Sequence, residues 1–327
     1  MKETLFLRAA CSPVRLGTVI LALSVVALAL PVQGSGTVVV ATIKPLADLA
    51  STLLGPGVEV HYIIKPGFDP HTYQLTREDL GLLREADVFL YLGLEPFLKG
   101  SMDALREDCV RIELMESLSR ISEKGGLHGS WLLPENLASM AEEVARVLQP
   151  RFPQVSRNLE SLLSELEELE GRLRVIGSRM PYPGYIAAVP GVVYQLLAMG
   201  VPEEAIFLLS RAPDLPPSPP EGERAEERAS EGYLVVSAMS QRGVGPADQA
   251  AELIASDAGA QMVRIALLQP WDDMDVLELI LFNAYVLLGG GQGGAAPEAS
   301  PFPLVAGALS VLVAGTALIA GWGRWRH

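Results

Sequence analysis

One stretch constrains the fold more than any other. From Phe152 to Ile176 the apolar residues Val155, Leu159, Leu162, Leu163, Leu166, Leu169, Leu173 and Ile176 recur with a helical period, and Glu and Arg fill the other faces. About 24 helical residues reach roughly 36 Å, longer than most globular helices. Such a helix is either a coiled-coil strand or a strut between two bodies. Three heptads interrupted by Gly171 make a poor coiled coil, and the flanking sequence favours the strut.

Before the strut, short β-branched runs alternate with helical stretches. Thr37 to Ile43 is apolar or β-branched throughout, as a parallel strand buried on both faces requires. Pro45 to Leu54 reads as a helix with Pro45 in its first turn. Val58 to Ile64 is a second strand, closed by Pro66-Gly67. Thr76 caps a helix that runs to Glu85. Val88 to Leu92 is a third strand, Leu94 to Leu105 reads as helical, and Val110 to Leu114 is a fourth strand. Pro134 to Leu148 is the helix that leads into the strut.

A second series follows. Strands are expected at Tyr185–Val189, Ala205–Leu209, Tyr233–Ser237 and Met262–Leu267, with helices at Gly191–Met199, Ala247–Ala258 and Val276–Leu288. Leu215 to Glu231, rich in Pro, Glu and Arg, reads as a mobile surface excursion. The predicted fold class is α/β: two lobes, each a mainly parallel sheet flanked by helices, joined by one long linker helix.

Both ends of the chain are strongly apolar. Lys2, Arg8 and Arg15 precede an uncharged run from Leu16 to Val32, and Gln33-Gly34-Ser35-Gly36 follows. A basic, then apolar, then small-residue order describes a secretory signal peptide ending near Gly34, or else an uncleaved anchor helix. Phe302 to Gly323 carries no charge and is followed by Arg324-Trp325-Arg326-His327. About 20 apolar residues cross a bilayer, and arginines with Trp322 and Trp325 at the boundary fit a positive-inside ending. The expected organisation is a signal segment at 1–34, lobes at 37–150 and 183–289, a linker helix at 152–176, a Gly/Ala-rich tether at 290–301 and a transmembrane anchor at 302–323. This places the lobes at the outer face of the cytoplasmic membrane.

Charge and cysteine content narrow the function. Setting aside Lys2, Arg8, Arg15, Arg324, Arg326 and Glu3 leaves 20 basic against 38 acidic residues. That balance argues against nucleic acid as a partner, since phosphate binding needs a basic face. Cys11 lies in the signal segment, ahead of the apolar run. Cys109 is then alone, which excludes an internal disulfide and a cysteine-based metal centre. No Gly-x-Ser-x-Gly, phosphate-cradling Gly-Lys loop or dinucleotide loop is present, and Gly289 to Gly294 follows a helix as linker. The chain is not expected to be an enzyme.

Three segments carry a specific likeness. Val38-Val-Val-Ala-Thr-Ile-Lys-Pro-Leu46, Ile64-Lys-Pro-Gly-Phe-Asp-Pro-His-Thr-Tyr73 and Ala86-Asp-Val-Phe-Leu-Tyr-Leu-Gly-Leu94 resemble the amino-terminal half of the zinc/manganese-type ABC transporter solute-binding proteins. The resemblance runs from about Val38 to Leu288. It implies two α/β lobes joined by one long helix, with limited closure around the ligand.

It also implies a metal site, which can be checked position by position. Zinc takes four His, Cys or carboxylate ligands, and manganese accepts more oxygen. His71 stands at the family's first histidine, in a loop at the carboxyl end of a strand. The second histidine is expected two residues before a Trp. Here His128-Gly129-Ser130-Trp131 puts His128 three residues before it, so either a bulge at Gly129 brings His128 to the site or Gly129 occupies the ligand position. The third and fourth positions fall on Val189, which has no donor, and Gln269, whose neutral carbonyl is a poor zinc ligand. His61 reads as an edge or core strand residue. The acidic excursion, with Glu221, Glu223, Glu226 and Glu227, reads as a cation-gathering surface or, more simply, a solvated face.

The expected function is therefore the extracytoplasmic solute-binding component of an ABC transporter for a divalent metal, Zn²⁺ or Mn²⁺, with an incomplete ligand set of His71, His128 and Gln269. Its partners would be an ABC permease in the membrane and the ion itself. The alternative is a degenerate relative that no longer binds metal and serves as a cell-surface interaction or adhesion module. Its cleft would be closed by apolar packing around Val189 and Trp271.

Overall fold

A computed structural model describes residues 36–289, apart from 67, 69, 71, 99–101, 212, 213 and 240–244. The first sheet contains β1 (Val38–Ile43), β2 (Glu59–Ile64), β3 (Val88–Tyr91) and β4 (Val110–Glu113), in the order β2-β1-β3-β4. Helix α1 (Lys44–Leu54) connects β1 to β2, and α2 (Arg77–Glu85) connects β2 to β3. After β4, α3 (Pro134–Leu148) leads into α4 (Val155–Gly177).

The second sheet repeats the arrangement with β5 (Tyr185–Ala187), β6 (Ile206–Leu208), β7 (Leu234–Ala238) and β8 (Met262–Ile265), ordered β6-β5-β7-β8. Its helices are α5 (Pro190–Ala198), α6 (Pro219–Ser230), α7 (Pro246–Ala258) and α8 (Val276–Gly289). Every strand pairing in both sheets is parallel.

The sequence explains the main elements. Residues 39–43 of β1 are almost fully buried, because helices cover both faces of a parallel sheet. Pro45 occupies the first turn of α1, where its missing N–H costs nothing. Thr76 and Asp79 form a reciprocal capping box at α2, with Asp79 N donating to Thr76 Oγ1 (3.2 Å) and Thr76 N to Asp79 Oδ2 (2.8 Å). Helix α4 buries Val155, Leu162, Leu166, Leu169, Leu173 and Ile176 on one stripe, against α1, α3 and α8. It thereby touches both lobes. Its last residue, Gly177, lies against the end of α5, where a Cβ would fall 1.9 Å from the Met199 carbonyl oxygen.

Two expectations change. Residues 219–230, read from sequence as an excursion, form α6. Pro219 and Pro220 stand in its first turn and Ser218 with Glu221 closes a second capping box, so the prolines begin a helix instead of breaking one. Among the described residues of 94–105, read as helical, there are two single 3₁₀ turns, Pro96–Leu98 and Met102–Ala104, and no α-helix. Among the described residues no helix is long and apolar enough to cross a membrane. The signal segment, the tether and the apolar stretch at 302–323 lie outside the described residues.

Candidate functional site

The carboxyl ends of both sheets mark the place to look, because each sheet's strand order reverses beside its first strand, β1 or β5. In the first lobe, β1 runs directly into α1, whose only charged residues are Lys44 and Asp48. They pair one turn apart, with Nζ and Oδ1 separated by 2.7 Å. In the second lobe, the segment after β8 carries Leu267, Leu268, Gln269, Trp271 and Asp272.

Three side-chain hydrogen bonds draw these parts together. Gln269 Nε2 donates to Asp48 Oδ2 at 2.6 Å. Tyr62 on β2 donates its hydroxyl to Asp272. Trp131 Nε1 donates to the Leu267 carbonyl at 2.7 Å. Desolvation pushes the Asp48 carboxyl up to about 6, against the opposing effect of Lys44 and with a smaller contribution from the Asp275 charge. Burial, followed by the hydrogen bond to Asp272 and its charge, pushes the Tyr62 hydroxyl above its ordinary value. Lys65 Nζ lies 3.9 Å from the centre of the Tyr62 ring.

Gln269 is 2 % exposed, yet among the described residues its Oε1 has no hydrogen-bond partner. A buried, unmatched carbonyl carries a desolvation cost of about 1–3 kcal/mol, so this oxygen is an acceptor available to a cation or a donor. Lys65 and Pro66, which open the loop containing His71, line one small cavity with Lys44 and Gln269.

The segment around His128 is shaped by a glycine. Gly129 has φ +76° and caps the 3₁₀ turn Ser130–Leu132. A Cβ at Gly129 would fall 2.6 Å from the Gly191 carbonyl oxygen and 2.9 Å from its Cα. The backbones of the two lobes touch here, leaving no room for a side chain at 129. The same segment is fastened further along. Ser122 Oγ donates to Glu203 Oε1 at 2.6 Å, and Lys124 Nζ donates to the Glu203 and Ile206 carbonyls at 2.6 Å each. Ser122 N donates to Tyr194 Oη at 3.1 Å.

The sequence-predicted site residues are placed as follows. His71 lies outside the described residues. His128 is exposed beside Gly129, and Gln269 is buried between the lobes. Val189, at the family's third position, is 3 % exposed. His61 sits on the edge strand β2, 2.8 Å from Glu59. Trp271 packs edge-on against Phe282 of its own lobe. Among the described residues no three His, Cys, Asp or Glu side chains are grouped to hold a metal. Asp48, Tyr62 and Asp272 are not among the residues the sequence singles out. A lone Lys44/Asp48 pair on an otherwise uncharged helix was the available signal for the first.

The family model for zinc-uptake complex component A, periplasmic, matches residues 39–278, and the chain belongs to this family. It is a family of uptake components, not of enzymes. Among individual relatives, the chain is 29 % identical to the manganese-binding lipoprotein MntA of Halalkalibacterium halodurans over 42 % of this chain and 49 % of that protein. It is 28 % identical to a putative metal-binding protein of Thermotoga maritima over 51 % of this chain and 62 % of that one. The chain thus spans about half the length of the curated relatives it matches. The fold is similar to a crystal structure of ZnuA (TM-score 0.63, 22 % identity, 77 % of this chain and 98 % of that chain). It is also similar to a Mn-bound periplasmic metal binding protein from candidatus Liberibacter asiaticus (TM-score 0.63, 18 % identity, with the same coverage).

Proposed function

We propose that this chain is the extracytoplasmic solute-binding component of an ABC transporter for zinc or manganese. It hands the ion to an ABC permease and is held at the outer face of the cytoplasmic membrane by residues 302–323. The observation that carries this reading is the buried Gln269 Oε1, unpartnered among the described residues, on a residue that lines a small cavity with Lys65 and Pro66, which precede the Asp69-Pro70-His71 motif in sequence. Family membership and relatives named for manganese binding support it. The proposed donors are His71, His128 and Gln269. With one neutral oxygen among them and no donor at Val189, affinity falls well below that of a four-ligand site.

Calorimetric titration of the full chain with Zn²⁺ and Mn²⁺ tests the proposal. A 1:1 saturation that His71→Ala weakens at least about tenfold, or about 1.4 kcal/mol, is expected. Absence of saturation, or indifference to His71→Ala, overturns it.

A second reading rests on the contact of Gly129 with Gly191. That contact leaves no room for a side chain at position 129, where the second ligand falls if His128 does not reach the site, as a scaffold without metal, an interaction or adhesion module, would have it. The same titration separates the two.

A further inference from the structure

A second cavity lies away from the cleft, along the free edge of β6, with a volume of about 250 Å³. Lys124, Phe207, Arg211, Glu221 and Arg224 line it. The chain as a whole carries a formal charge of −14, yet this wall is cationic.

Helix α6 sorts its charges by face. Arg224 and Arg228, one turn apart, lie over the Phe207 ring at 5.9 and 4.5 Å, while Glu223, Glu226 and Glu227 are exposed to solvent. The ring holds both guanidinium groups in place through cation–π attraction. Arg224 uses its Nε on the Pro220 carbonyl (3.0 Å), and Arg228 uses one terminal nitrogen on the Arg224 carbonyl (3.1 Å). Each guanidinium has five N–H donors, so these bonds orient the groups without exhausting them. Arg211 is exposed on the cavity wall.

The carboxylate of the wall among the described residues, Glu221, is already engaged. Glu221 accepts from Ser218 N at 3.0 Å and Ser218 Oγ at 2.7 Å as the α6 capping box. Lys124, tied to two carbonyls and beside the Glu203 carboxylate, which offsets its charge, is a further lining residue.

We propose that this cavity binds a phosphate group, with Arg211 and Arg224 as the donors, Arg228 supplying further positive charge and the Phe207 ring forming the apolar floor. Paired guanidiniums match phosphate oxygens in geometry and charge, and the volume leaves room for a small organic substituent on the phosphate. The site is independent of the metal reading. It holds none of the proposed metal donors, and the test is run with a chelator present.

The full chain is titrated calorimetrically at low ionic strength with two probes, inorganic phosphate and glycerophosphoglycerol, the soluble headgroup diester of an anionic lipid. Saturation by inorganic phosphate assigns a free phosphate, and saturation by the diester alone assigns a headgroup. Either supports the proposal. The surface double variant Arg211→Gln/Arg224→Gln is expected to bind at least about tenfold more weakly, and Glu221→Gln, which keeps the cap, more tightly. The proposal is overturned if neither probe saturates at millimolar concentration, if the double variant binds like the wild type, or if Glu221→Gln gains nothing.

Discussion

Gln269 donates a 2.6 Å hydrogen bond to Asp48 across 221 positions of sequence, joining the segment after the last strand to the first helix. The other end of the same amide is Oε1, which has no partner among the described residues. One side chain thus closes the lobes and offers an acceptor.

Replacing Gln269 with Asp sets a second carboxylate beside Asp48. Like charges at this distance oppose ionisation of both. In chelator, Gln269→Asp is expected to lower stability by about 1–3 kcal/mol. Zn²⁺ or Mn²⁺ should recover it, with the melting temperature rising with ion concentration. A variant whose melting ignores both ions contradicts the placement of Gln269 at the cargo site.

Gly129→Ala tests the contact between lobes. The substitution combines a left-handed φ with a Cβ 2.6 Å from the Gly191 carbonyl. A loss of about 1–3 kcal/mol or more is expected in denaturant unfolding. A neutral substitution would show that the lobes readily separate there.

Trp131→Phe removes the indole N–H that reaches Leu267 together with part of the ring of a buried side chain. The expected loss combines a carbonyl left without its donor and a small void, about 2–4 kcal/mol. Chemical denaturation measures it.

Glu203 sets a pH dependence. Burial raises its carboxyl, but the bonds from Ser122 Oγ and Lys124 N outweigh this and hold it below its ordinary value. A carboxyl lowered on folding contributes stability above its unfolded value of 4.5, and that contribution is lost as pH falls through the lowered folded value. Glu203→Gln should therefore be less stable than the wild type at neutral pH and lose less on acidification below about pH 4.5. Parallel slopes for the two proteins would contradict the assignment.

The strands were legible because burial on both faces forces an uninterrupted β-branched run, as in Val38–Ile43. The helix now bounded at Val155–Gly177 was legible from its apolar stripe. Helix α6 was not, because Pro219-Pro220 and the dense charge resemble a loop, and the Ser218/Glu221 cap spans only four residues. The 94–105 segment misled in the other direction. Its residues are largely compatible with a helix, but Pro96 interrupts the run. The Asp69-Pro70-His71 motif and the Leu268-Gln-Pro-Trp271 segment are features of the sequence alone. The bonds Gln269–Asp48 and Tyr62–Asp272 could not be read from it, since each joins residues more than 200 positions apart and neither has a local signature.

Crystals of the full chain soaked in Mn²⁺ or Zn²⁺ and measured at the metal's absorption edge test the account most directly. A single anomalous peak in the cleft is predicted, within coordination distance of the His71 imidazole and Gln269 Oε1. A cleft without a peak, with Gln269 still bonded to Asp48, would contradict metal carriage by this protein.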